Sequence, residues 1–210
     1  MRKNIYIMIA SLFGVFVLYE TYAIGNAYIR LSQVFLPYSS VTTKDLGLSE
    51  KRQDILVKIQ DPNFYGHAGI EWPSPLTSTT ITQSLVKKLF FKKFTKGYKK
   101  IEQTLISRFV VSPNISKNTQ LTAFISTAYF GNKDGKPVIG FEQGALAWFR
   151  KSLSELSDDE YLTLIAMLPG PNILLPDSAA SKERLRRIKR VLNGECVYDN
   201  VSSIHLDQCS

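Results

Sequence analysis

Histidine and cysteine are scarce in this sequence. The 210 residues include two histidines, His67 and His205, and two cysteines, Cys196 and Cys209. So few imidazole and thiolate groups exclude the ligand clusters of a structural zinc site. No catalytic thiol is indicated either, because both cysteines lie near the C-terminus, where an oxidising compartment would let them close a short loop.

Acidic residues are in the minority, with 18 aspartates and glutamates against 26 lysines and arginines, which gives a formal net charge of +8. This excess favours an anionic partner, namely phospholipid, nucleic acid or a phosphorylated substrate. Alternating strand patterns and internal repeats are also lacking. Because 44% of the residues are hydrophobic and 21% are charged, the chain suits a globular domain, and we predict a mainly α fold.

An uncharged run from Ile5 to Tyr19 follows two basic residues and continues, with one interruption at Glu20, as far as residue 24. Its length is at the short end for a membrane-spanning helix, and the preceding charges predict a cytoplasmic N-terminus. The alternative is a cleavable signal peptide, because Ala23 and Gly25 are small enough for a cleavage site. Both interpretations export the chain, which argues against nucleic acid as the partner.

Helical periodicity and end signals extend over most of the remaining chain. A predicted stalk ends at Pro37, Ser157 and Glu160 form a capping box, and Gly194 follows the last helix. We therefore divide the chain into an anchor (1–24), one domain (25–195) and a C-terminal tail (196–210). The predicted helices after the anchor are 27–36, 49–60, 78–91, 99–111, 117–130, 141–150, 157–168 and 179–193.

The stretch QDPNFYGHAG, which begins at Gln60, lies at the predicted end of a helix. Asp61 suits a cap, and His67 followed by Gly69 suits a tight polar turn. Taken alone, this spacing favours a structural role, because a single histidine more often serves as a hydrogen-bonding group than as a proton shuttle.

Five blocks follow one another in an order that is similar to the peptidoglycan glycosyltransferases, glycosyltransferase family 51. This family occurs in monofunctional transglycosylases and at the front of class A penicillin-binding proteins. The resemblance covers residues 54–192, and it implies a lysozyme-like helical domain whose cleft faces a lipid-linked disaccharide and whose smaller lobe touches the bilayer. The blocks are QDPNFYGHAG, TTITQSLVKKLFF, KKIEQTL, SKNTQLTAFISTAYFG and GALAWFRKSLSELSDDEYLTLIAMLPGP.

The first family motif, Glu-Asp-x-x-Phe-x-x-His-x-Gly, has Gln60 in place of its leading glutamate. In the family this glutamate is taken as the general base that deprotonates the attacking sugar hydroxyl. An amide cannot accept that proton near neutral pH, and a general base typically contributes about 10²- to 10⁴-fold. Asp61, Glu71 and Glu102 are the candidate substitute bases.

The second motif, Gly-Gly-Ser-Thr-Ile-Thr-Gln-Gln-x-x-Lys, resembles the stretch from Thr77 to Lys87. The glycine pair becomes Thr77 and Ser78, and the second glutamine is lost. The resemblance implies a phosphate site at a helix N-terminus, to which a lysine adds charge. The alternative is an ordinary helix cap with a solvated lysine. The retained candidates are Thr79, Thr80, Thr82, Gln83 and Lys87.

Seven lysines lie between Lys87 and Lys100. Lys87 and Lys99 resemble the pyrophosphate-binding positions of the family, and the others suit anionic lipid headgroups. The family motif Arg-Lys-x-x-Glu aligns with Tyr98 to Glu102, although a slip of two residues is open. A second family glutamate aligns with Thr122, so that acid is absent.

The resemblance implies that an acceptor hydroxyl displaces undecaprenyl pyrophosphate from lipid II with inversion. Lys87, Lys99 and Mg²⁺ or Mn²⁺ would offset the charge of the leaving group, Asp61 or Glu102 would act as base, and His67 would contact substrate; no organic cofactor is implied. The alternative is a scaffold that binds lipid II or a glycan strand without polymerising it. A hydrolase needs a pair of acids that the sequence does not place.

The implied location is the inner (cytoplasmic) membrane, crossed once, with the domain on the periplasmic or extracellular side. The implied partners are lipid II, the growing glycan strand, the membrane and other proteins of cell-wall synthesis.

Overall fold

Helices dominate the architecture of this chain, as the sequence predicts. The computed structural model describes residues 2–71, 79–95, 97–197 and 206–209. Thr77, Ser78 and Lys96, which the sequence singled out, lie outside these residues. The elements in order are α1 (Arg2–Ser39), α2 (Glu50–Gln60), α3 (Ile81–Leu89), α4 (Tyr98–Ile106), a π-helical turn (Ser107–Val111), α5 (Ser112–Asn114), α6 (Lys117–Thr127), β1 (Tyr129–Lys133), β2 (Lys136–Ile139), α7 (Phe141–Phe149), α8 (Asp158–Met167) and α9 (Ala179–Leu192).

Helix α1 joins the predicted anchor and the predicted stalk in one helix of 38 residues. Its length is about 57 Å, nearly twice the thickness of a bilayer core. From Asn4 to Ser39 it is long and apolar enough to cross a membrane. The side chains from Ile5 to Tyr19 are exposed, which suits contact with lipid.

The second half of α1 docks on the domain along one stripe. Ala27, Leu31 and Phe35 are buried at spacings of four residues, which places them on one helix face. This face packs on α4, on α6 and on the π-helical turn. Glu20 begins the same stripe: it is 4% exposed, and among the described residues neither carboxylate oxygen has a hydrogen-bond partner.

Helix α8 forms the centre of the core. The predicted capping box is present, because Ser157 Oγ accepts from the backbone of Glu160 and the Glu160 carboxylate accepts from the Ser157 N–H. Every residue from Tyr161 to Met167 is buried. The Tyr161 hydroxyl donates to the Arg52 carbonyl at 2.8 Å, which fastens α8 to α2. Burial on all sides from Tyr161 onward explains why this part of the helix is so strongly apolar.

Residues 129–139 form an antiparallel hairpin, whereas the sequence predicted the end of a helix and a glycine-rich loop. Helix α6 ends at Thr127, so Phe130 lies in β1. Asp134 and Gly135 both have positive φ, 52° and 75°, as a tight hairpin turn requires. The strands were missed because they are short and because an irregularity in β1, where Phe130 and Gly131 are both buried, breaks the alternation.

A disulfide between Cys196 and Cys209 closes the C-terminal loop that the sequence allowed. Gly194 ends the preceding helix with φ 76°. The described part of the tail then packs on α9, where Arg190 donates to the Cys209 carbonyl at 2.9 Å.

We predict that Glu20→Leu makes the protein more stable. Leucine keeps the apolar contacts of the α1 stripe and removes a buried carboxyl group that costs about 1–3 kcal/mol when it has no partner. A gain of this size raises the thermal midpoint in detergent by about 2–4 °C per kcal/mol. The exposed Tyr28→Leu is the control on the same helix, and a lower midpoint for Glu20→Leu would contradict the prediction.

Candidate functional site

A groove of about 1140 Å³ lies beside α3 and contains the position of the missing glutamate. The end of α2, helices α3, α4 and α6, and the segment that follows α8 form its walls. Apolar side chains such as Phe91, Phe94 and Phe124 line part of it. Its polar and charged lining residues are Gln60, Thr79, Ser84, Lys87, Lys88, Lys92, Lys100, Gln103, Thr127, Tyr129 and Arg184.

Gln60 is the last residue of α2, and it shares the groove with Lys87. Because α2 ends here, the side chain is half-buried and faces the groove. Two candidates that the sequence derived from separate blocks therefore lie in one cavity.

Asp61 is fully buried and clamps two segments together. His67 Nδ1 accepts from the Gly69 N–H at 3.1 Å, so Nε2 carries the ring proton and donates to Asp61 at 2.9 Å. The other Asp61 oxygen accepts from the Ile81 N–H at 2.9 Å, at the start of α3, where the helix dipole favours a negative charge. Asp61 does not line the groove, and its contacts are those of a structural clamp.

Glu71 and Glu102, the other candidate bases, also lie outside the groove. Glu102 Oε2 accepts from the Tyr19 hydroxyl at 3.5 Å, so it faces the anchor helix. Glu71 Oε1 accepts from Asn63 at 3.1 Å and lines a separate cavity of about 250 Å³. Neither carboxylate is placed to accept a proton from a sugar in the groove.

The carboxylates of Asp61 and Glu71 form, with His67, the one group of potential metal ligands among the described residues, with ligand atoms within 4.8 Å of one another. The hydrogen bonds just described engage both nitrogens of His67 and both oxygens of Asp61. Arg108 lines the adjoining cavity and adds a positive charge. The cluster therefore fits a hydrogen-bonded unit better than a cation site.

The predicted cap of α3 is present and uses most of the candidate phosphate ligands internally. Thr80 Oγ1 accepts from the Gln83 N–H, and the Gln83 side chain accepts from the Thr80 N–H. Gln83 also donates to Thr104, and Thr82 donates to Gln120 at 2.7 Å. Thr80, Thr82 and Gln83 are fully buried, and of the three candidate threonines, all within the described residues, only Thr79 lines the groove.

Lys100, which the sequence assigned with the other lysines to lipid headgroups, lines the groove, whereas Lys99 does not. Its ammonium donates to Thr79 Oγ1 at 3.4 Å. Burial, and then the positive charge of Lys87, lower the pKa of Lys100 to about 8. Lys99 does not line the groove, and its ammonium lies over the Phe91 ring at 5.1 Å.

Gln103 also lines the groove, three residues after Lys100. The lysine and the glutamate of the Arg-Lys-x-x-Glu motif are also three residues apart. The motif therefore aligns with Lys99 to Gln103, one residue further along the chain than the alignment with Tyr98 to Glu102. The glutamate of that motif is then an amide as well. Thr122, the position of another family glutamate, is buried in α6. The signal that identifies Lys100 is helical phase, since a shift of one residue turns a side chain by about 100°.

Cationic groups surround the groove, and among its described lining residues there is no carboxylate. Lys88 lies over the Tyr129 ring at 5.5 Å, and burial lowers the pKa of its ammonium. Arg184 reaches the groove from α9 and is 4% exposed. The sequence predicted this helix, at 179–193, without assigning it a site residue. Five cations next to apolar walls suit an anion attached to an apolar chain.

The similarities of this chain to known proteins agree with one another. The family model described as "Transglycosylase" matches residues 37–194. The chain is 28% identical to penicillin-binding protein 1B of Haemophilus influenzae over 59% of the chain and 17% of the relative. It is 26% identical to penicillin-binding protein 1B of Escherichia coli over 73% and 20%, and 28% identical to penicillin-binding protein 2a of Streptococcus pneumoniae over 67% and 20%. The match therefore spans about a fifth of the length of these relatives.

We predict that Asp61→Ala destabilises the domain strongly. The change leaves His67 and the start of α3 without their shared acceptor, and breaking a buried charged contact costs about 3–5 kcal/mol. The exposed Asp54→Ala on α2 is the control and is expected to change the free energy of unfolding by less than about 0.5 kcal/mol. Thermal unfolding in detergent measures both, and equal midpoints would contradict the role of the clamp.

We also predict that anion binding in the groove weakens as the pH rises through about 8. Lys100 is charged below its lowered pKa of about 8 and neutral above it, so its attraction for phosphate is lost on the alkaline side. The affinity for a short-chain diphosphodiester, whose own charge is constant over this range, is expected to fall about tenfold, as for the loss of one charged hydrogen bond. Lys100→Arg should abolish the inflection; an unchanged profile would contradict the assignment.

Proposed function

Because the chain belongs to the transglycosylase family, we propose that its groove binds the diphosphate of lipid II at the membrane during peptidoglycan synthesis. One observation carries the proposal: five cationic side chains line the groove that contains Gln60, and no described lining residue is acidic. A diphosphate on an apolar carrier matches both the charge and the apolar walls. The named relatives, penicillin-binding proteins, support a place in cell-wall synthesis.

Lys87 and Lys100 are the residues that we propose hold the diphosphate. Lys100 approaches Thr79 near the start of α3, and Lys87 lies in the same helix. Their charges repel each other, which contributes to the lowered pKa of Lys100. A bound anion relieves this repulsion and would stabilise a diphosphate leaving group by the same means.

Glycosyl transfer needs a further group, because the acceptor hydroxyl must lose its proton. Gln60 cannot take it, and Asp61, Glu71 and Glu102 lie outside the groove. We therefore propose that binding is retained and that transfer is impaired, so that the protein acts as a lipid II or glycan-binding scaffold. Polymerisation of lipid II is the second candidate, and membership of the family favours it.

We propose that α1 crosses the inner membrane once and that the domain lies on its periplasmic or extracellular side. Two basic residues precede the apolar run, which supports a cytoplasmic N-terminus. A substrate with a prenyl carrier stays in the bilayer, so a groove joined to a membrane helix is close to it. Other proteins of cell-wall synthesis are the proposed partners.

The test is incubation of the purified protein with labelled lipid II and Mg²⁺ or Mn²⁺, with binding and glycan polymer measured separately. We expect the wild type to bind without making polymer. Gln60→Glu is expected to bind and to gain polymer, because a carboxylate base is worth about 10²- to 10⁴-fold.

Lys87→Ala should weaken binding about tenfold, as for the loss of one charged contact. Lys136→Ala, an exposed lysine on β2, is the matched control and should bind as the wild type does. Polymer from the wild type would contradict the scaffold and support the second candidate. Absence of lipid II binding would contradict both.

A further inference from the structure

We propose that the groove binds its diphosphate ligand without a divalent metal ion and that Mg²⁺ and Mn²⁺ oppose this binding. The inference rests on the proposed function and concerns the same groove. It replaces the expectation, drawn from the family resemblance, that such a metal accompanies the pyrophosphate.

The groove offers a set of ligands that does not suit a divalent metal ion. Mg²⁺ is held in proteins by one or two carboxylates together with substrate phosphates and water. The described lining residues provide amides from Gln60 and Gln103 and hydroxyls from Thr79, Ser84 and Thr127, but no carboxylate. Gln60 and Gln103, which stand where the family motifs have glutamate, are both neutral. The described lining residues therefore do not supply the anionic ligands of a metal site.

The nearest alternative is the group of Asp61, His67 and Glu71, which does not face the groove. Asp61 already accepts hydrogen bonds from His67 and from the start of α3. His67 and Glu71 line the separate cavity that also contains Arg108. A cation held there would not contact a diphosphate between Lys87 and Lys100.

The groove is already rich in positive charge. Lys87, Lys88, Lys92, Lys100 and Arg184 line one cavity. Each phosphate of a diphosphodiester carries one negative charge, so five cations exceed the charge that they must balance. Lys87 and Lys100 repel each other across the groove, and a dication placed between them would increase this repulsion. The lysines therefore supply the positive charge that a divalent metal ion would otherwise supply to the diphosphate.

Competition in solution follows from this arrangement. A divalent ion that pairs with the diphosphate neutralises the charge that attracts the lysines. The metal-bound ligand must lose its ion before it enters the groove. Binding should therefore be strongest when free Mg²⁺ is absent, which makes the divalent ion a regulator of occupancy.

The experiment measures the affinity of a short-chain lipid II analogue for the full chain in detergent, by calorimetry, with EDTA, with millimolar MgCl₂ or with MnCl₂. Ionic strength is held constant with a monovalent salt, because salt alone screens these charges. We expect full affinity in EDTA and an affinity lower by roughly a factor of ten with either metal, the size of one lost charged contact.

Variants test separately the role of the lysines and the role of the missing carboxylates. Lys87→Met and Lys100→Met should each weaken binding in EDTA, whereas Lys136→Met should not. Gln103→Glu introduces a carboxylate into the groove, and we expect it to remove or reverse the opposing effect of Mg²⁺. Retention of the wild-type response by Gln103→Glu would overturn the role given to the missing carboxylates.

Failure of this inference can be told apart from failure of the proposed function. Binding that requires the metal, or that is several-fold tighter with it, overturns metal-free binding and leaves the lipid-diphosphate site intact. An affinity equal in EDTA and in Mg²⁺ supports metal-free binding and overturns the opposition by metal. No binding of the analogue under any of these conditions overturns the proposed function itself.

Discussion

The buried carboxylate of Asp61 holds the site together. It lies directly after Gln60, at the end of α2, and accepts a hydrogen bond from the first residue of α3. One side chain thus fixes two elements that enter the groove, namely the helix end that presents Gln60 and the helix that carries Lys87. Its bond with His67 keeps both oxygens engaged in the protein interior, away from solvent. The charge of Asp61 maintains the geometry of the groove without being available for chemistry inside it.

Local signals made most of the fold predictable. The predicted capping box at Ser157 and a cap at the start of α3 are present. Helices α2, α7 and α9 lie within one or two residues of the predicted bounds, because caps and apolar spacing act over a single helical turn. The hairpin was missed for the converse reason: its strands are stabilised mainly by pairing with each other and leave little pattern in the sequence. The sequence also wrongly ended the stalk helix before Pro37, because a proline usually ends a helix. Helix α1 continues through Pro37 to Ser39.

The sequence identified some of the residues that line the groove and missed others. Gln60, Thr79 and Lys87 share one groove. Lys99 and Glu102 do not line it, whereas Lys100 and Gln103 do, because one residue of register decides which face of α4 a side chain joins. Thr80, Thr82 and Gln83 illustrate a second difficulty: hydroxyls and amides at a helix start serve a cap as well as a ligand, and only their internal partners distinguish the two. Arg184 reaches the groove from a helix distant in sequence, and no local signal identifies it.

The unbroken course of α1 has a mechanical consequence. The helix runs without interruption from the apolar run into the face that packs on α4 and α6, and about 24 Å of it separates Tyr19 from Phe35. A continuous helix of this kind transmits a change of orientation rigidly, whereas a flexible linker would not. Any tilt that a thicker or thinner bilayer imposes on the first half is carried to the domain, so the thickness of the lipid layer would set how high the mouth of the cavity stands above the headgroups.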